Sequence, residues 1–280
     1  MKHLKKYCAL LLLLLLAIGT VACSAAPAEP EASAEEVELI VFAAASMTET
    51  LTEIGTLYAD VAPNVKLVFN FDSSGTLKTQ IQEGAPCDLF ISAAKKQMDQ
   101  LDIDASPEVN TEGLDFVDSA TRVDLLENRV TLAVPDGNPR GVEGFDQLAE
   151  WLKEGDVLLA VGNSDVPVGQ YTRKIFEYYG IDEAAVAGKL TYGSNVKEVT
   201  TQVDEHSVDC GIIYGTDAFS AGLSVVDEAT EAMCGGRVVY PAAVLKTAAE
   251  PLAARDFLNW LQTEESAGVF ASVGFTPLSH

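Results

Sequence analysis

Ser46 ends the run Val41-Phe-Ala-Ala-Ala-Ser46, and Ser73 and Ser74 end the run Phe69-Asn-Phe-Asp-Ser-Ser74; each lies between an apolar, strand-like stretch and a helix-like one. Small residues at a strand end let a ligand approach the backbone. A helix starting there offers unpaired N–H groups and the positive end of its dipole, so such a turn is an anion receptor in outline. A serine hydroxyl adds a neutral donor. Three loops of the second half have the same character. Val166-Pro-Val-Gly169 leaves the N–H of Val168 free at a helix start, Tyr192-Gly-Ser-Asn-Val196 does the same for Val196, and Gly211-Ile-Ile-Tyr-Gly215 ends a strand on the Tyr214 phenol. Singly, these residues read as helix caps, packing valines and a strand-end aromatic. Together they make a set of donors without a carboxylate or a proton acceptor among them.

Other chemistries find little support. After residue 22 the only histidines are His206 and His280, and there is no Gly-x-Ser-x-Gly elbow, Walker loop or Cys-x-x-Cys pair, so no enzyme is expected. Asp204, Glu205, His206 and Cys210 are the only grouping of metal-ligand type and read as a solvated helix face; no cofactor is expected. The chain carries 18 basic and 42 acidic side chains; without Lys2, Lys5 and Lys6 the balance is 15 to 42, a net charge of −27. This excludes nucleic acid as a partner and requires an anion site to work through local donors. Cys87 and Cys210 adjoin apolar runs and read as buried thiols, while a bridge between Cys210 and Cys234 stays open.

The positions of these donors depend on the elements around them. Residues 1–22 have the basic start, short leucine-rich core and small-residue end of an export signal. Thr20-Val-Ala-Cys23 resembles a lipoprotein box, which marks Cys23 for lipidation and predicts an extracytoplasmic protein anchored to a bacterial membrane. Residues 23–36, rich in Ala, Pro, Glu and Ser, read as a flexible tether. Beyond it strands (38–42, 65–70, 89–92, 129–134, 157–161, 190–192, 211–214, 238–245) alternate with helices (48–58, 76–83, 95–101, 169–179, 196–205, 216–221, 249–261, 264–272). This is α/β grammar: two units, each a mainly parallel sheet covered by helices, with the ligand in the cleft beyond the strand ends.

The ordered motifs Val41–Ser46, Ser73-Ser-Gly-Thr-Leu77, Gly84–Ser92, Val166–Gly169, Gly211–Asp217, Tyr240-Pro241 and Gly274-Phe275 resemble the molybdate-binding proteins of ABC importers, from Leu39 to Pro277. The resemblance implies the type II, two-lobe periplasmic-binding-protein fold, with lobe 1 from 37–128 and 241–280 and lobe 2 from 129–240. It implies a monomeric receptor for molybdate and tungstate, with Ser46, Ser74, Val168, Val196 and Tyr214 as ligands to the molybdenum oxyanion. An ABC permease with its ATPase is the implied partner. The chemistry agrees, since both anions are unprotonated dianions that need only donors. Phosphate, protonated at neutral pH, would want an acceptor such as Asp72 or Asp165, and sulfate differs mainly in size; these are the alternatives.

Overall fold

The computed structural model describes residues 36–278, so the expectations for the signal, Cys23 and the tether up to residue 35 lie outside the described residues. In chain order the elements are β1 (Val37–Ala44), α1 (Thr48–Val61), β2 (Val65–Asp72), α2 (Ser74–Gln82), β3 (Leu89–Ile91), α3 (Lys95–Asp99), β4 (Val123–Asn128), β5 (Val130–Val134) and α4 (Phe145–Glu154). They continue with β6 (Leu159–Gly162), α5 (Pro167–Tyr179), α6 (Glu183–Val186), β7 (Leu190–Gly193), α7 (Val196–Asp204), β8 (Cys210–Tyr214) and α8 (Gly215–Ala221). The last are β9 (Ser224–Glu228), α9 (Glu231–Cys234), β10 (Val238–Val244), α10 (Pro251–Trp260), α11 (Glu264–Ser272) and β11 (Thr276–Pro277).

Two sheets result, ordered β11-β4-β10-β3-β1-β2 and β7-β6-β8-β5-β9. Within the first, β1 runs parallel to β2 and β3, as the βαβ grammar demands. In the second, β6 runs parallel to β7 and β8. The strands by which the chain changes sheet break the parallel pattern: β10 is antiparallel to β3 and β4, and β5 is antiparallel to β8 and β9. Only Arg129 separates β4 from β5, and the return lies between Glu228 and Val238. All of β10 is therefore in the first sheet, and the expected exchange at 240/241 falls inside that strand.

The central strands β5 and β10 are buried at every position because both faces are covered, and Thr131 Oγ1 donates to the Ile213 carbonyl. Helices present one face to them; α4 buries Phe145, Leu148, Ala149 and Leu152, spaced at three to four residues. Residues 102–122 are irregular apart from one 3-10 turn, Ser119–Thr121, and an isolated bridge between Val117 and Leu245.

Candidate functional site

The strand ends of the two sheets meet. A Cβ placed on Gly75, at the start of α2, would stand 2.2 Å from the Asp165 carbonyl oxygen, so the loop before α5 rests on the first turn of α2 with no room for a side chain. On another side of the seam Lys197 of α7 reaches 2.7 Å to Glu49 in the first turn of α1, and lies 3.1 Å from Asp217.

Between these contacts is a small hollow, with a free volume of about 10 Å³, lined by residues of both sheets. Ser46, Ser74, Val196 and Tyr214 line it, with Ala44, Ala45, Ala93, Val166 and Pro167, and with Asp72 and Ser73 at one side. Val168 is not in the lining. Its side chain is fully buried one residue beyond Pro167, which leaves its backbone N–H as the group to consider. Of the two acceptors considered for phosphate, Asp72 is in the lining and Asp165 is at the seam. No lysine, arginine or histidine lines the hollow.

Each donor has a local cause. Ser46 sits in a 3-10 turn, Ala45–Met47, that turns the chain from β1 into α1. Its Oγ lies 2.9 Å from the Tyr240 hydroxyl. Ser73 is the N-cap of α2 and accepts from the Thr76 N–H, so the capping task falls on the first serine of the pair. Ser74 is thereby spared, and its Oγ accepts the Ala93 N–H at 2.9 Å, leaving its own hydrogen for another acceptor. Val196 opens α7 behind the cap Asn195, and Val168 is the second residue of α5 behind Pro167; neither N–H has an acceptor within its helix.

Tyr214 is the most informative member. It ends β8, it is 1% exposed, and its hydroxyl is buried without a hydrogen-bond partner. Burial first, and the nearby phenol of Tyr240 second, hold it well above the usual tyrosine pKa, so it is a neutral donor. Tyr240 acts on it at close range, but the Tyr214 hydroxyl lies outside hydrogen-bond geometry from every described group. The rings meet edge to face with centroids 5.7 Å apart, and Tyr171 flanks Tyr214 in the same manner at 6.4 Å. A buried orphan hydroxyl facing a cavity is costly unless something fills the cavity and accepts from it.

Lys197, the cation at the seam, is already engaged. Lys197 is drawn to Glu49 and Asp217, and Asp217, fully buried, has its pKa pushed up to about 6, by burial first, against the lowering effect of Lys197. The ion pair with Asp217 falls short of hydrogen-bond geometry, and both carboxylate oxygens lack a hydrogen-bond partner. Among the described residues no group of three His, Cys, Asp or Glu comes together to hold a metal, and His206 lies past the end of α7 with φ 55°. Cys87, Cys210 and Cys234 are buried and free, which leaves no bridge between the last two. Burial pushes the Cys210 thiol up to about 12 and that of Cys234 to about 11, so both are inert thiols at neutral pH.

Two sheets joined by crossing strands, with a donor-lined hollow between their strand ends, define the two-lobe periplasmic-binding-protein fold. The chain belongs to the bacterial extracellular solute-binding protein family, whose pattern it matches over residues 39–276. It is 33% identical over 248 residues to YvgL of Bacillus subtilis, covering 87% of this chain and 88% of that one. YvgL is provisionally named an ABC transporter substrate-binding lipoprotein. It is also 33% identical over 249 residues to the molybdate-binding protein ModA of Escherichia coli, covering 88% and 91%. A solved structure from Clostridium difficile, provisionally named the substrate-binding domain of a molybdenum ABC transporter, aligns with a TM-score of 0.62 at 31% identity. It covers 87% of this chain and 100% of that one.

Proposed function

We propose that this protein is a high-affinity receptor for molybdate, and for tungstate, which hands the oxyanion to an ABC permease and its ATPase. The orphan Tyr214 hydroxyl carries the reading, because it needs an acceptor and the hollow offers no protein group for it. Ser46 and Ser74 from one lobe, with Tyr214 and the N–H groups of Val168 and Val196 from the other, are neutral donors suited to a fully ionised dianion. The free volume of the hollow, about 10 Å³, is far below the ~300–1,000 Å³ of pockets for organic ligands, which favours a compact ion over an organic solute. The similarity to E. coli ModA points the same way. Residues 37–128 with the chain from Val238 onward form one lobe and the intervening chain the other, and the lobes close over the ligand by a hinge at Arg129 and the 228–238 return. Lipidation at Cys23, in keeping with the lipoprotein name of YvgL, holds the receptor, as a monomer, outside the cell membrane.

Asp72 favours a second reading. A carboxylate in the lining repels a dianion but accepts the proton of a hydrogen phosphate; its Oδ1 already accepts the Ser73 N–H at 2.7 Å. Thermal unfolding with molybdate, tungstate, sulfate and phosphate separates the two. A ligand at about 1,000 times its Kd adds ~4 kcal/mol, or about 8–16 °C for a chain of this size. Molybdate and tungstate are expected to give that shift, and Asp72→Asn to preserve or increase it. A shift with phosphate alone, lost in Asp72→Asn, would establish the phosphate reading instead.

A further inference from the structure

Asn128 stands at the end of β4, where the chain leaves the first sheet, and is almost wholly buried. Its Oδ1 accepts the Arg129 N–H at 2.8 Å, which fixes the orientation of the amide. The Nδ2 hydrogens are then both spent, one on Thr216 Oγ1 at 2.9 Å and one on the Tyr240 hydroxyl at 3.1 Å. Tyr240 is fully buried on β10, at a register shift between Tyr240 and Pro241. Its hydroxyl has two partners, Asn128 and Ser46. Having accepted from Asn128, it has one hydrogen left to place. If Ser46 donated to it, that hydrogen would be a buried donor without an acceptor. With the Tyr214 hydroxyl outside hydrogen-bond geometry, the opposite direction, Tyr240 donating to Ser46, satisfies both hydroxyls of the pair.

Resting on the oxyanion reading, the geometry points to Asn128 and Tyr240 as positioning residues: a one-way relay from Asn128 through Tyr240 to Ser46 that commits the Ser46 hydrogen to the ligand. Ser46 Oγ, with an acceptor site occupied by Tyr240, presents a donor to the hollow. Ser74 reaches the same state by accepting from the Ala93 backbone. Both serines are thereby set for an anion that carries no proton, before any ligand arrives.

A double-mutant cycle tests the relay through a readout that loss of packing would not move. Molybdate affinity is measured by calorimetry on the wild type, Ser46→Ala, Tyr240→Phe and the double variant, with thermal unfolding of each ligand-free protein as the check on folding. Ser46→Ala is expected to weaken binding at least tenfold and Tyr240→Phe about fivefold. In the absence of Ser46, Tyr240→Phe is expected to cost less than twofold, since Tyr240 acts through that hydroxyl. Losses that multiply in the double variant, or an unchanged affinity in Tyr240→Phe, would overturn the relay while leaving the receptor reading in place. No binding of molybdate by the wild type would overturn the receptor reading and the relay's purpose with it. If Tyr240→Phe fails to fold, Asn128→Ala enters the same cycle with the same criterion.

Discussion

At the scale of single residues, Tyr214 offers a test in which stability and binding move in opposite directions. Its hydroxyl is buried and unpartnered, so Tyr214→Phe removes a group that the ligand-free protein cannot satisfy. The melting temperature without ligand is expected to stay level or rise, while the affinity for molybdate falls by about 1.5–3 kcal/mol, roughly 10- to 150-fold. A variant with lower stability and unchanged affinity would show the phenol to be a core group. The sequence made Ser46, Ser74, Val196 and Tyr214 legible because each ends a strand or opens a helix, a local pattern. Asn128 and Tyr240 were not assigned roles, because what makes them matter is contact across the fold: Asn128 meets Tyr240 over 112 residues and Tyr240 meets Ser46 over 194. Asp72 was named only as an acceptor for the phosphate alternative, because its place in the lining likewise depends on contact across the fold.

Among the elements, the start of α8 holds Asp217 in a fully buried position, with its pKa pushed from 3.8 up to about 6. A raised carboxylate pKa means that the folded state binds the proton more tightly than the unfolded chain. Its stabilising contribution is complete below about pH 3.8 and is lost as pH rises through about 6. Asp217→Asn is therefore expected to be more stable than the wild type above pH 7, by up to ~3 kcal/mol, with the gap closing toward pH 4. Urea unfolding at pH 4, 6 and 8 checks this, and a gap independent of pH would refute it. The element pattern itself was largely readable, because long apolar runs between helices admit few alternatives. Six elements were missed; α6 and α9 are helices of only four residues, and the other four have physical causes. Strand β4 (Val-Asp-Leu-Leu-Glu-Asn) and strand β9 (Ser-Val-Val-Asp-Glu) are short and mixed, and pair only because β10 and β5 lie beside them. Helix α4 was passed over although its apolar spacing is helical, and β11 is two residues held by β4.

For the whole molecule, closure depends on a seam that tolerates no bulk. Gly75→Ala puts a methyl group against the Asp165 carbonyl and holds the lobes apart. Helix α2 itself would gain from alanine, so ligand-free stability is expected to be kept while molybdate affinity falls tenfold or more, about 1.4 kcal/mol. Small-angle scattering of the molybdate-saturated variant should give a larger radius of gyration than the saturated wild type; equal radii and affinities would mean that the seam yields. The sequence predicted two α/β units and missed only where their sheets exchange strands, since a strand that crosses reads like any other. That exchange also sets an order of events. Strand β10 lies between β3 and β4 at the middle of the first sheet, yet it is the tenth of eleven strands to be synthesised. A chain emerging from its N-terminus holds β1 to β4 as an incomplete sheet until residues 238–244 arrive, and long-range pairing of this kind is slow. The lobe that supplies Ser46 and Ser74 thus stays unfinished through most of synthesis, and the chain remains threadable through a narrow export channel until nearly all of it has been made.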